Sequence, residues 1–278
     1  MPCPLSGRKR VTSATAPNEM RYDDYLHLKQ ILDSQVPRSE IPDELLFIIQ
    51  HQTAELWMKL MLYELTQAIQ HLGSDNLPAA LKAIARVQRI MDHLNHAWSV
   101  LATLTPSDFL AMRPSLGSAS GHQSVQFREI EFLLGNKSSA HLADHTQDEL
   151  ALHALQKRLM APSLYDEVVR LMAARGMDID QSRLQFEHSE PTSHSPSVEA
   201  AWLQVYRQPE EHRELYTLGE QLVELEDSVK HWRFRHLCTV ERIIGHRQGT
   251  GGTSGVSYLR STLNTVLFPE LWQLRTHL

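Results

Sequence analysis

LYTLGEQLVELEDSVKHWRFRHLCTVERII, residues 215–244, decides the fold, because its apolar positions recur with the period of a helix and not of a strand. Leu215, Leu218, Leu222, Leu225, Val229, Trp232, His236, Val240 and Ile243 follow one another at spacings of three and four, which lays them along one face. The helix, read as Glu210–Ile244, must be covered by neighbours along that stripe. One position breaks the pattern. His236 stands where leucine or valine is expected, and burying an imidazole costs on the order of 1–3 kcal/mol unless it is hydrogen-bonded or ligated.

The same anomaly occurs earlier in the chain. Phe47, His51, Ala54, Met58, Met61 and Leu65 form a second apolar stripe that again holds a histidine. The helix carrying it is read from Pro42-Asp43-Glu44 to Leu72, with carboxylates at the positive end of the dipole and Gly73 as its stop. Either histidine alone fits a core imidazole paired with a carbonyl. Two on separate seams point to a group shared between helices. One reading is a haem, ligated by one ring nitrogen while the other histidine faces what enters opposite. The other is a bis-histidine zinc site, for which no third ligand stands nearby. His93 with His96, and His141 with His145, lie among acidic and amide residues and read as solvated faces.

Working outward, a second long helix is expected from Leu77-Pro78 to Leu104, then a short one over Ser107–Met112 that stops against Arg113-Pro114. Ser115–Ser120 reads as a loop. Further helices are expected at Gln123–Leu134, Gln147–Met160, Ser163–Arg175 and Val198–Arg207, with turns near Val256–Asn264 and Pro269–Arg275. Asp178–Pro196 reads as irregular. With no internal repeat and no long linker, the expectation is an all-α, single-domain helical bundle of long helices over residues 19–278, preceded by a flexible tail over 1–18.

The 278 residues carry a net charge of −6, which disfavours a nucleic-acid partner. No run approaches the roughly 18 apolar residues of a membrane span, and the Ser/Thr/Pro-rich start lacks a secretory apolar segment. The two cysteines, Cys3 and Cys238, give no disulfide framework, so a cytoplasmic location is expected. Gly249-Thr250-Gly251-Gly252-Thr253-Ser254-Gly255 matches neither phosphate-binding pattern. It is either a mobile linker or a loop that orders over a small ligand.

Four stretches, met in order, carry a family resemblance. They are Tyr22-Asp23-Asp24-Tyr25-Leu26; Phe47-Ile48-Ile49-Gln50-His51-Gln52-Thr53-Ala54-Glu55-Leu56-Trp57; Arg113 through Ser120-Gly121 to Phe127-Arg128; and Trp232-Arg233-Phe234-Arg235-His236 with Gly249-Thr250-Gly251-Gly252. From about Tyr22 to Leu263 the chain resembles the tryptophan 2,3-dioxygenase family. The resemblance implies a homotetramer with one haem b per subunit, ferrous when active. It uses O2 to cleave the indole C2–C3 bond of L-tryptophan, giving N-formylkynurenine in the first step of the kynurenine route.

It also implies residue roles. His236 is the expected iron ligand, with Trp232 setting its surroundings, and Trp98, Leu116, Ser120, Gly121 and Gly249 beside the haem. His51 is expected to meet the indole N–H, with Phe47 and Phe109 against the ring, and with no obligatory base role. Arg113 is expected to hold the substrate carboxylate as a charge-assisted pair and Thr250 the amino-acid end. Tyr22, Tyr25 and Leu26 would complete the neighbouring subunit's pocket. Two departures stand out: His122 where the family more often has phenylalanine, and Phe109 where some bacterial members have tyrosine. A ring-hydroxylating haem enzyme, a haem sensor or a helical scaffold are the other readings. A gas sensor needs no carboxylate clamp, so Arg113 with Thr250 favours an amino-acid substrate.

Overall fold

Stripes of period 3.6 become the long helices of the structure, and no strand occurs among the described residues. The computed structural model describes residues 20–185, 188–252 and 254–278, so the expected tail over 1–18 lies outside the described residues. The chain divides into two units, Met1–Val36 and Pro37–Leu278. In the first, α1 (Tyr22–Tyr25) and α2 (Leu28–Leu32) are single turns joined at His27, whose φ of 50° reverses the chain. Tyr22 and Tyr25 are 74% and 69% exposed there, and Leu26 is half-buried.

The second unit is built on α3 (Asp43–Gly73), α4 (Leu77–Leu101) and, later in the chain, α11 (Arg213–Ile244). Both α3 and α11 pack against α4. The opening stripe behaves as its period requires: Leu215, Leu218, Leu222 and Leu225 are 0–3% exposed. Between these long helices come α5 (Pro106–Leu116), α6 (Val125–Leu133), α7 (Glu149–Met160), α8 (Leu164–Ala174), α9 (Gln181–Leu184) and α10 (Pro196–Arg207). The chain closes with α12 (Val256–Thr262) and α13 (Pro269–Gln273). Side-chain caps set several starts: Asn76 accepts from the Ala79 N–H, Thr105 from Asp108, Ser124 from Phe127 and Asp148 from Ala151. Ser163 and Asp166 form a reciprocal capping box at α8.

Buried polar groups tie the later helices down. Glu270 is fully buried and accepts from the Tyr165 hydroxyl at 2.8 Å and the Ser195 N–H at 2.7 Å, while the Trp202 indole donates to Tyr165 at 3.1 Å. Glu226 of α11 accepts from the Phe268 N–H at 2.8 Å, fixing the start of α13.

The sequence reading departs from the structure at several places: α4 ends at Leu101 and not Leu104, and α11 starts at Arg213 and not Glu210. α5 does not stop before Arg113-Pro114 but continues to Leu116 and ends at Gly117, φ 58°. A proline in the last turn forfeits one backbone bond and leaves the turn intact. Within the stretch read as irregular, Gln181–Leu184 forms one helical turn. His141 and His145, read as solvated, lie in a 3-10 turn, Ser139–His145, in which His145 is 5% exposed, because the turn packs beside α7. No helix among the described residues is long and apolar enough to cross a membrane.

Leu222 lies at the centre of the α11 seam with no exposed surface. Leu222→Ala is expected to lower stability by about 2–5 kcal/mol without changing the denaturant slope, as read by urea unfolding.

Candidate active site

Beyond the leucines, the α3 and α11 stripes leave the close-packed core and face a shared void. Phe47 and His51 from α3, and Trp232, His236 and Val240 from α11, line one cavity of about 290 Å³ in the second unit. That is close to the lower end of small-ligand sites. Phe109 and Leu116 belong to the apolar cluster against its wall, packed with Ile243 and Ile244. The two misfit histidines therefore answer to one site.

Their environments differ. The His51 Nδ1 lies 2.7 Å from the carbonyl oxygen of Phe47, one turn back on its own helix. A carbonyl only accepts, so Nδ1 carries the proton and the neutral ring keeps Nε2 as an acceptor. The Phe47 ring packs on the imidazole at 4.2 Å between centroids. Burial lowers the pKa of His51, so the neutral form is favoured.

His236 has no hydrogen-bond partner among the described residues; aromatic faces surround it instead. Trp98 stacks on it at 4.9 Å and an interplanar angle of 16°, Trp232 lies at 5.3 Å, and Trp232 is stacked on Phe127 at 4.9 Å. Burial first, then the nearby His51, pushes its pKa down to about 4. His236 is thus a neutral imidazole with nitrogen lone-pair capacity unused, which is the state that ligates a metal.

The donor set decides what kind of group fits. Among the described residues no cluster of three or more His, Cys, Asp or Glu comes together, so a bare ion at His51 and His236 would lack the third protein ligand it ordinarily takes. A single imidazole among aromatic faces suits a planar group that brings its own ligands, as haem does.

The cavity mouth is polar. Arg113, at the end of α5, donates to the Gln248 carbonyl, and the Thr250 hydroxyl donates to the Ala119 carbonyl at 2.7 Å. These bonds draw the glycine loop onto the segment holding Ser120 and Gly121, which with Gly249 also line the cavity. Gly251 is required for that approach: a Cβ there would sit 2.7 Å from the Ser120 Cβ. Gly255, φ 60°, is pressed as closely, with a Cβ position 2.6 Å from the Arg247 carbonyl.

Tyr22, Tyr25 and Leu26 belong to the first unit and are absent from this lining. His93 lies against the Trp57 ring at 4.8 Å, and His96 donates to the carbonyl of Asp92 in its own helix at 2.7 Å. Neither pair reaches the cavity. Sequence reading missed four charged residues that do: Glu55, Arg128, Glu131 and Arg233. The available signal was the three-residue spacing of Arg128 and Glu131 beside the apolar positions of α6.

The profile of the tryptophan 2,3-dioxygenase family matches residues 9–162 and 153–278. The chain belongs to the tryptophan 2,3-dioxygenase family. It is 59% identical over 93% of its length to the tryptophan 2,3-dioxygenase of Paraburkholderia phytofirmans, covering 85% of that protein. To the proteins of the same name from Pseudomonas aeruginosa and Cupriavidus necator it is 54% identical, with nearly complete coverage of both partners.

Because Gly251 touches Ser120, Gly251→Ala should lift the loop at a cost of about 1–3 kcal/mol. Trypsin is then expected to cut after Arg247 roughly tenfold faster while helical circular dichroism stays the same; an unchanged cleavage rate would show that the loop does not depend on this contact.

Proposed function

We propose that this chain is a haem-dependent dioxygenase that converts L-tryptophan and O2 to N-formylkynurenine, the opening step of the kynurenine route. One observation carries the reading: the unpaired imidazole of His236 and the free Nε2 of His51 face one apolar cavity whose mouth holds Arg113 and Thr250.

His236 is the residue that would hold the haem iron, with Trp98 and Trp232 fixing its ring plane. Ferrous haem b bound there supplies the binding and activation of O2. The remaining work falls to side chains that orient the substrate. His51 Nε2 accepts the indole N–H, a role that needs the tautomer set by the Phe47 carbonyl. Arg113 takes the substrate carboxylate as a charge-assisted pair, and the Thr250 hydroxyl meets the same amino-acid end. Phe47, Phe109 and Leu116 exclude water around the ring. Phe109 has no hydroxyl, so no phenolic hydrogen bond reaches the substrate from this position. The indole C2–C3 bond is electron-rich, and both oxygen atoms of O2 end in the product. His51 therefore positions the indole and need not remove its proton.

The assembly reading is a homotetramer in which Tyr22, Tyr25 and Leu26 complete a neighbouring copy's pocket. Its support is apolar surface left open on one copy. Leu45, Ile49, Leu56, Leu60 and Tyr63 of α3 are 36–60% exposed, in addition to the two exposed tyrosines. The cytoplasm suits a chain whose described cysteine, Cys238, is a free thiol. An acidic net charge gives no electrostatic basis for a nucleic-acid partner.

Reduced, haem-loaded protein should change its visible spectrum when L-tryptophan is added and should release N-formylkynurenine in air. Protein that takes up haem yet neither responds to tryptophan nor consumes it would overturn the reading. His236→Ala should lose haem on desalting while His51→Ala retains it. Arg113→Ala should weaken tryptophan binding by roughly 2–3 kcal/mol, about 30- to 150-fold in Kd. Leu56→Asp should shift the sedimenting species below four copies; an unaltered tetramer would remove the α3 face from the interface.

A further inference from the structure

We propose that Arg128, backed by Arg233 and held in place by His122, forms a second carboxylate subsite in the cavity, distinct from Arg113, and that it takes a propionate of the haem. The proposal rests on the haem reading given above. Its starting point is a chain of charged contacts along the cavity wall. The His122 Nε2–H donates to Asp144 at 2.7 Å, and its Nδ1 accepts from the Arg128 guanidinium at 2.7 Å. Arg128 also donates to Glu131, whose other oxygen accepts from Arg233 at 3.2 Å and from the Asn136 amide at 3.0 Å. His122, Arg128, Glu131 and Arg233 all line the cavity.

The charges do not balance. Arg128, Glu131 and Arg233 are 4–7% exposed, so two buried guanidinium groups share one buried carboxylate; Glu55, also on the cavity lining, accepts from the Gln126 amide and is paired with neither arginine. Asp144 stands at the partly exposed rim, with the neutral His122 ring between it and Arg128. Burying an uncompensated cation costs several kcal/mol, and a structure keeps one where a ligand supplies the opposite charge. Arg128 also has a donor to spare: its Nε is buried and has no partner among the described residues. Arg113 holds the loop through the Gln248 carbonyl and makes no hydrogen bond to this network.

The imbalance calls for a single negative charge with acceptor oxygens, and a carboxylate matches the guanidinium fork. Haem carries two. His122 is the positioning residue. With Nε2–H pinned by Asp144, its Nδ1 can only accept, which fixes the Arg128 side chain against the wall. The Tyr258 ring of α12 meets it edge-on at 5.3 Å and limits its rotation.

The test titrates haem-free protein with haem and with haem dimethyl ester, following the visible absorption of the complex. Wild type is expected to prefer the diacid by roughly tenfold or more, the worth of one charge-assisted pair. Arg128→Met should bring that preference close to one and leave the Kd for tryptophan in the loaded protein unchanged. His122→Phe, which keeps the guanidinium but frees it, should reduce the preference about threefold, and it serves if the methionine variant fails to fold. Equal binding of diacid and diester by wild type overturns the subsite, as does an unchanged preference in the variants. A raised tryptophan Kd with the haem preference intact also overturns it, by assigning Arg128 to the substrate's carboxylate. A protein that binds neither form would instead bring down the haem reading on which the proposal stands.

Discussion

The stack of Trp98 on His236 is the constraint from which the rest of the site follows. A ring held at 16° to an indole and flanked by Trp232 meets carbon faces where a core histidine would find an acceptor. The imidazole is therefore neutral, and its coordinating capacity is unspent. Its position is inherited from the leucines of α11, which lie between α4 and the rest of the core with almost no exposed surface. A site built on such a helix moves only if the core moves, which suits chemistry that depends on placement.

The cavity separates its two kinds of recognition in space. Around His51, Phe47 and Phe109 the walls are largely carbon, with Gln50 and Glu55 also in the lining and the direction of the His51 acceptor set by a backbone carbonyl. At the mouth, Arg113, Thr250 and the loop carbonyls present charge and hydroxyls. A flat aromatic molecule with a zwitterionic end finds a matching surface at each of its ends. One lacking either end loses half the contacts.

How far the sequence alone reached depended on the kind of information needed. Periodicity placed the seams, because a stripe of leucines states which face is covered. It could not state who partners whom. His51 turned out to be satisfied at one nitrogen by its own helix, four residues back, while His236 was not satisfied at all; the two look alike in a stripe. The family resemblance, not the spacing, supplied the role of Arg113 and of the glycine loop. Contacts that join distant segments were invisible: Thr250 to Ala119 spans 131 positions and Arg233 to Glu131 spans 102. The burial of charged residues such as Arg128 and Glu131 was not visible either, and His145, read as solvated, is buried.

The bonds that Arg113 and Thr250 make to Gln248 and Ala119 have a consequence for selectivity. Each bond engages only one donor, so Arg113 keeps further guanidinium N–H groups and Thr250 a hydroxyl oxygen able to accept. A carboxylate suits such a guanidinium, because it offers charge that a carbonyl only partly supplies. A neutral end group offers no such charge, so the same donors hold it less tightly. The two anchors thus hold the loop without using up the groups that anchor it.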